Sequence, residues 1–388
     1  MFAQRTGWEL AANRLSVALA QRKAENRPIL DLAASNPTEC GLRYDYDSIV
    51  AAFQTKSILE YHPAPRGLES TRRSVADYYA ARGMNLAVDN IILTASTSEA
   101  YSFIFRLLCE PGDEVLVPAP SYPLFEFLAG IQDVRQVRYP LVYDHGWQID
   151  FHSLEKRITS RTKAIIVVHP NNPTGHFTKA AELSALNRLC RAHDLALIAD
   201  EVFLDFALAS IHVESFAAND DSLTFTVSGL SKISGLPQMK LAWLAASGPN
   251  HLKLEALDRL EVISDTYLSV STPVQLAAPV LLAGRHDFQK QLAARVGKNL
   301  AELDRQLGLQ RPCSRLEVEG GWYAVVRVPA IRSDEELAIQ LLQKEGVYLH
   351  PGHFYDFPGD GYCVVSLIAP EDDFAQGIAK LLVLAASQ

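Results

Sequence analysis

Lys232 follows an apolar, β-branched run, Leu223 to Val227, and stands among Ser228, Gly229, Ser231, Ser234 and Gly235. The run predicts a buried strand, and the small polar residues predict a loop at its carboxyl end, where open α/β sheets collect ligands. A lysine held there away from bulk water loses basicity and becomes a nucleophile for a carbonyl carbon. Taken alone, a loop lysine is more often solvated surface. Asp200 closes a second apolar run, Leu195 to Ala199, where a carboxylate needs either a cationic partner or a turn to cap. Asn172 lies in His169-Pro-Asn-Asn-Pro-Thr-Gly175, after the continuous apolar run Ala164 to Val168. It can serve a turn or donate to a ligand. Ser96, Thr97 and Ser98 join the strand Asn90–Leu93 to a helix ending near Leu108. Such a junction presents free N–H groups and a helix dipole to a phosphate, and its serines equally suit an N-cap. Tyr122, fixed before Pro123, offers a flat face to a flat ring or simply packs in the core.

The segments Tyr61-His-Pro-Ala-Pro-Arg-Gly67, Ser121-Tyr122-Pro123, Asn171-Asn172-Pro173-Thr174-Gly175, Asp200-Glu201-Val202-Phe203 and Ser231-Lys232 follow one another in that order. In order and separation they resemble the class I and II aminotransferases, fold-type I enzymes that use pyridoxal 5′-phosphate, from about Leu30 to Pro370. The resemblance implies that Lys232 holds the cofactor as an internal aldimine and, once freed, moves the substrate proton. It implies that Asp200 pairs with the ring nitrogen, that Asn172 donates to the phenolic oxygen and that Tyr122 stacks on the ring. Ser96, Thr97, Ser98, Ser231 and Lys240 would hold the phosphate, joined by Tyr61 of the neighbouring subunit in a homodimer. The implied reaction moves an amino group from a small-molecule donor to a keto acid. A lyase or decarboxylase on the same scaffold, or a cofactor-binding homologue without turnover, is the alternative.

Three positions depart from the family pattern. Phe203 replaces a tyrosine and removes a hydroxyl from the phenolic oxygen. Lys240 replaces an arginine and keeps the charge without the two-pronged geometry. Val364, two residues before Ser366, stands where the family has the arginine that clamps the substrate carboxylate. No arginine follows Arg332, so a shifted alignment does not restore the clamp. Arg43, Arg66 and Arg327 are the candidate replacements.

These residues need a scaffold. Strand, helix and strand alternate from Asn90 to Val227, which predicts an α/β fold: a mainly parallel central sheet with helices on both faces. A long helix, Phe288–Leu307, then leads to a smaller α+β unit with strands at 321–328, 347–350 and 363–367. The large domain is expected over 45–285, and the small one over 1–44 and 286–388. Helices are also predicted at Trp8–Gln21 and Tyr46–Leu59. The chain has 388 residues, 48% hydrophobic and 21% charged, with net charge −9. That acidity argues against nucleic acid or an anionic membrane as partner. No apolar run is long enough for a signal peptide or a membrane span. Five scattered cysteines fit reduced thiols in the cytoplasm and show no metal spacing.

Overall fold

The computed structural model describes residues 1–208, 213–268 and 270–387. The chain begins with α1 (Arg14–Ala24), β1 (Leu30–Asp31), α2 (Tyr46–Ala52), α3 (Glu69–Ala80), β2 (Ile91–Thr94) and α4 (Thr97–Leu108). It continues through β3 (Glu114–Ala119), α5 (Phe125–Gly130), β4 (Arg135–Tyr143), β5 (Trp147–Ile149), α6 (Phe151–Glu155) and β6 (Thr162–Val168). Next come α7 (Ala180–His193), β7 (Ala196–Asp200), β8 (Thr224–Gly229), α8 (Leu230–Ile233), β9 (Ala242–Ser247), α9 (Asn250–Tyr267) and α10 (Thr272–Ala283). The last part holds α11 (Arg285–Leu307), β10 (Ser314–Arg315), β11 (Tyr323–Arg327), α12 (Asp334–Gln340), β12 (Val347–Tyr348), β13 (His350–Pro351), β14 (Tyr362–Ser366) and α13 (Glu371–Ala386).

Eight strands form the large sheet in the order β2-β9-β8-β7-β6-β3-β4-β5. The run from β8 to β4 is parallel, while β9 and β5 are antiparallel to their neighbours. The central strands are apolar on both faces because helices cover both. Ile166 and Ile198 pack toward Phe103 and Ile104 of α4 and Leu257 of α9. Ile165 and Leu197, one residue earlier on each strand, pack toward Leu186 of α7. This period of two decides where Asp200 points: it shares the face of Ile198, toward α4.

A four-stranded antiparallel sheet, β10-β11-β14-β13, and the pair β1-β12 lie beyond α11. β1 joins this part through Leu30↔Val347, and Ser366 N–H donates to the Leu32 carbonyl at 2.7 Å.

Several expected elements are redrawn. The first helix starts at Arg14 rather than Trp8, because Asn13 caps it by accepting from Ser16 N–H at 2.8 Å. The second stops at Ala52; Phe53 and Thr55 are weak helix formers, and Thr55 is extended at φ −128° before a 3₁₀ turn over Lys56–Leu59. The strand expected at 347–350 divides between two sheets. Its second part ends at Pro351, which has no N–H to continue a ladder. β5 and α6 lie in a stretch that the sequence pattern leaves unassigned.

Candidate active site

Four parallel strands, β3, β6, β7 and β8, end along one edge of the sheet, and Tyr122, Asn172, Asp200 and Lys232 stand at or just past those ends. β2 runs the same way as β8, so the Ser96–Ser98 turn reaches the same edge. A cavity of about 290 Å³ opens there, lined by Ser96, Thr97, Ser98, Tyr122, Asn172, Asp200, Ser231, Lys232 and Lys240. Every expected site residue except Tyr61 is among them. Tyr61 is 69% exposed and lies outside the cavity in a single chain.

Lys232 sits on the helical turn α8, not in a loop. Gly229 leads into the turn with no room for a side chain: a Cβ there would lie 2.7 Å from Ala242 Cβ. The Lys232 ammonium lies 4.8 Å from the Trp322 ring centre and 5.5 Å from that of Phe203. Burial holds its pKa down to about 8, with the Asp200 charge pulling it back up. Asp200 is buried and accepts from Tyr101 Oη and Val202 N–H, each at 3.2 Å. Burial pushes its carboxyl up to about 6 against the pull of Val202, Tyr101 and Lys232. Asp200 and Lys232 thus feel each other across the cavity, yet make no ion pair within 4.0 Å. Both line the same cavity.

Asn172 is the least satisfied group of the set. Its Oδ1 is buried with no hydrogen-bond partner among the described residues. Its neighbour Asn171 does the structural work of the turn: Nδ2–H groups donate to Pro120 O at 3.0 Å and Thr174 Oγ1 at 2.9 Å, and Oδ1 accepts from Ser121 Oγ at 3.1 Å. Gly175 completes that turn at φ +71°, where a Cβ would lie 2.6 Å from the Gly320 carbonyl oxygen. A buried amide left bare beside one so thoroughly bonded fits a group that arrives from outside.

Ser96 caps α4, accepting from Glu99 N–H at 3.1 Å, while Glu99 accepts from Ala95 N–H at 2.6 Å. The Thr97 and Ser98 N–H groups have no partner among the described residues, as the first turn of a helix dictates. They face an anion site together with Ser231 and the exposed Lys240. The residues present fit a flat, phosphorylated, aldehyde-bearing heterocycle: a nucleophilic amine, a buried carboxylate, a bare amide and an anion cradle surround one cavity. His169 takes no part. Its Nε2 faces Glu214 O at 3.1 Å and its Nδ1 accepts from Thr178 N–H at 3.1 Å.

None of the three arginines reaches the cavity. Arg66 is held by Glu261 at 2.7 Å and Asp258 at 3.5 Å. Arg327 is exposed and lies over the Tyr362 ring, and Arg43 is exposed. Val364 is buried in β14 between Val325 and His350. Sequence reasoning missed Tyr101, which holds Asp200, Trp322, whose ring packs against the Lys232 amine, and Tyr323, which lines the cavity. The Gly320-Gly321 pair before Trp322 was the available signal, since paired glycines mark a close backbone approach.

The chain matches the family Aminotransferase class I and II over residues 27–366. It belongs to that family. It is 28% identical over 372 residues to an alanine aminotransferase of Mycobacterium tuberculosis, covering 93% of this chain and 86% of that one. It is 26% identical over 365 residues to the glutamate-pyruvate aminotransferase AlaA of Escherichia coli, covering 92% and 90%. The alanine aminotransferase of Pyrococcus furiosus superposes with a TM-score of 0.88 over the full length of both chains, at 23% identity. The family match and the solved structure agree on the fold of this aminotransferase.

Proposed function

We propose that this aminotransferase carries pyridoxal 5′-phosphate on Lys232 and moves an amino group from a small-molecule donor to a keto acceptor. When bound, the cofactor supplies an electron-poor ring that stabilises charge on the carbon next to the donor nitrogen. Asp200 holds the proton on the ring nitrogen, and Tyr101 and the Val202 N–H keep its carboxylate aimed. Asn172 would donate its Nδ2–H to the phenolic oxygen, and Tyr122 would cover one face of the ring. The Thr97 and Ser98 N–H groups, the Ser96 and Ser231 hydroxyls and Lys240 hold the phosphate. Lys232 Nζ would take the proton from the donor carbon and give it back. Trp322 and Phe203 exclude water from that amine.

The observation that carries this reading is the pair Asp200 and Lys232, coupled across one cavity without an ion pair. We further read 45–285 as the large cofactor-binding domain and 1–44 with 286–388 as the small one. The β1-β12 pair and the Ser366–Leu32 bond support that grouping. The working form is read as a homodimer in which Tyr61 completes the neighbour's phosphate site. A cytoplasmic location is consistent with five free thiols, four of them buried. No described helix is long and apolar enough to cross a membrane.

The test is to add the cofactor to purified protein and follow its lysine-linked absorbance. The band should form in the wild type and be lost in Lys232→Ala. An amino donor should then bleach it with release of the matching carbonyl product. Release of carbon dioxide or ammonia instead of transfer would overturn the aminotransferase reading.

A further inference from the structure

One face of the small sheet carries Tyr323, which reaches the cavity, and further along it Val364 and His350. Tyr323 lines the cavity and is paired with Ser366; two residues along, Val325 is paired with Val364, and Val364 with His350. Cross-strand partners share a face, as do residues two apart on one strand, so Tyr323, Val364 and His350 belong to one face. The place of a carboxylate-clamping arginine is therefore occupied by a valine with a histidine beside it. His350 lies between two phenols: its Nδ1 is 3.0 Å from Tyr355 Oη and its Nε2 is 3.3 Å from Tyr348 Oη. Burial holds His350 down to about 4, so the ring is neutral at pH 7. A neutral imidazole donates from one nitrogen and accepts at the other. One tyrosine thus keeps its own proton to donate and the other keeps lone pairs to accept. The Tyr355 carbonyl accepts from Ser121 N–H at 2.9 Å, which fastens the cluster to the segment bearing Tyr122. Burial raises the Tyr355 hydroxyl, and the Tyr323 and Tyr122 hydroxyls lie near enough to add to that rise.

The cations on the cavity wall are Lys232 and Lys240, and both face the cofactor position. Besides Asp200, the remaining wall is uncharged and includes Ser35, Tyr122, Leu124, Phe203 and Tyr323. A carboxylate on the reacting carbon would lose its hydration there without gaining a cation. A neutral body with a hydroxyl or phenol would lose far less and would meet hydrogen-bonding phenols.

We propose that the amino donor is a primary amine with no carboxylate on its reacting carbon, recognised through a neutral polar group by the Tyr348–His350–Tyr355 cluster and Tyr323. This rests on the reading that Lys232 carries the cofactor. In the half-reaction the donor's C–N bond is replaced by C=O with oxygen from water. The nitrogen and the electron pair stay on the cofactor until a carbonyl acceptor takes them.

The experiment pairs each amino acid with its decarboxylated amine, L-tyrosine with tyramine and L-phenylalanine with 2-phenylethylamine, in single turnovers of the cofactor-loaded protein. The amine should bleach the band at least about tenfold faster in each pair, a margin expected from one strong polar contact. Tyr355→Phe and His350→Phe should raise KM for tyramine about three- to tenfold, the worth of one hydrogen bond, and more than they raise it for 2-phenylethylamine. A readout independent of turnover is the binding of 3-phenylpropanoate, seen as a shift of the band. It should be weak in the wild type and gain about tenfold in Val364→Arg. Equal or faster reaction of the amino acids, as an arginine contributed by a second copy would give, overturns the proposal. So does a band that forms but reacts with neither member of any pair, while leaving the cofactor assignment standing. Failure of the band to form overturns both.

Discussion

Asp200 is a buried carboxylate with no ion pair among the described residues, and this has a measurable cost. Its pKa lies at about 6, above the ordinary 3.8, so the native protein binds that proton more tightly than the unfolded chain does. The stabilisation is complete below pH 3.8 and is lost as pH rises to about 6. Above that pH the native state bears a penalty of up to about 3 kcal/mol, two pKa units at 1.36 each. In cofactor-free protein, Asp200→Asn should therefore unfold at higher temperature than the wild type at pH 8 and near the same temperature at pH 4. Equal melting at pH 8 would remove the argument. In loaded protein the same substitution should lower kcat about 10²- to 10³-fold, the usual loss for one electrostatic contact to the reacting group. Lys232 gives the complementary profile. With its pKa lowered to about 8, capture of the aldehyde cofactor should accelerate about tenfold per pH unit below 8 and level off above it, read by stopped-flow absorbance. A plateau near pH 10 would mean that the amine is not desolvated. Lys232, Asp200, Asn172, Tyr122 and Ser96–Ser98 were legible in the sequence because each sits within a few residues of its own strand end. Tyr101 and Trp322 were not, because their roles depend on which helix or sheet lies across the cavity, and no local pattern encodes that approach.

At the scale of elements, the cavity depends on how α3 and α11 are tied to the segment after β7. Asp205 makes that tie. Its carboxylate accepts from Tyr78 Oη at 3.1 Å on α3, from Arg82 at 2.6 Å, and from Gln289 Nε2 at 2.7 Å on α11. Gln289 also donates to the Ile233 carbonyl at the end of α8, one residue past Lys232. Asp205→Ala leaves a half-buried guanidinium unpaired and should cost about 3 kcal/mol, read from denaturant midpoints at constant slope. It should also loosen α8, so cofactor affinity should fall along with stability. A variant that loses stability but keeps its affinity would separate the two effects and refute the coupling. Most elements could be read from sequence period and caps: β6 and β7 as continuous apolar runs, α7 and α11 as amphipathic repeats. The errors fell where tertiary pairing decides. Residues 347–350 read as one strand, but β1 claims the first part and β14 the second. Lys232 read as a loop residue because Ser and Gly surround it, and the packing of Leu230 and Ile233 into the core winds that segment into a turn.

At the scale of the whole molecule, the exposed apolar side chains have a place. Leu59 and Tyr61 are exposed, as are Leu254 and Val262 on α9, and the Arg66–Glu261 ion pair holds the two segments together. Phe2 and Leu10 are likewise exposed on the arm before α1. The proposed homodimer would cover part of this surface. The Tyr61 assignment makes association part of the active site and not just of stability. If Tyr61 serves its neighbour, two defective chains should repair each other. Lys232→Ala keeps its Tyr61 but lacks the nucleophile, and Tyr61→Ala keeps Lys232 but lacks the phosphate contact. A mixed dimer restores one complete site, built from Lys232 of one copy and Tyr61 of the other. With random two-fold pairing, half the dimers are mixed and about a quarter of all sites become whole. Mixing the unfolded variants one to one, refolding them and assaying at limiting cofactor should recover about that fraction of wild-type activity, whereas each variant refolded alone recovers almost none. No gain on mixing would place the Tyr61 hydroxyl within its own subunit, and the cavity would then have to close around the phosphate without a second copy.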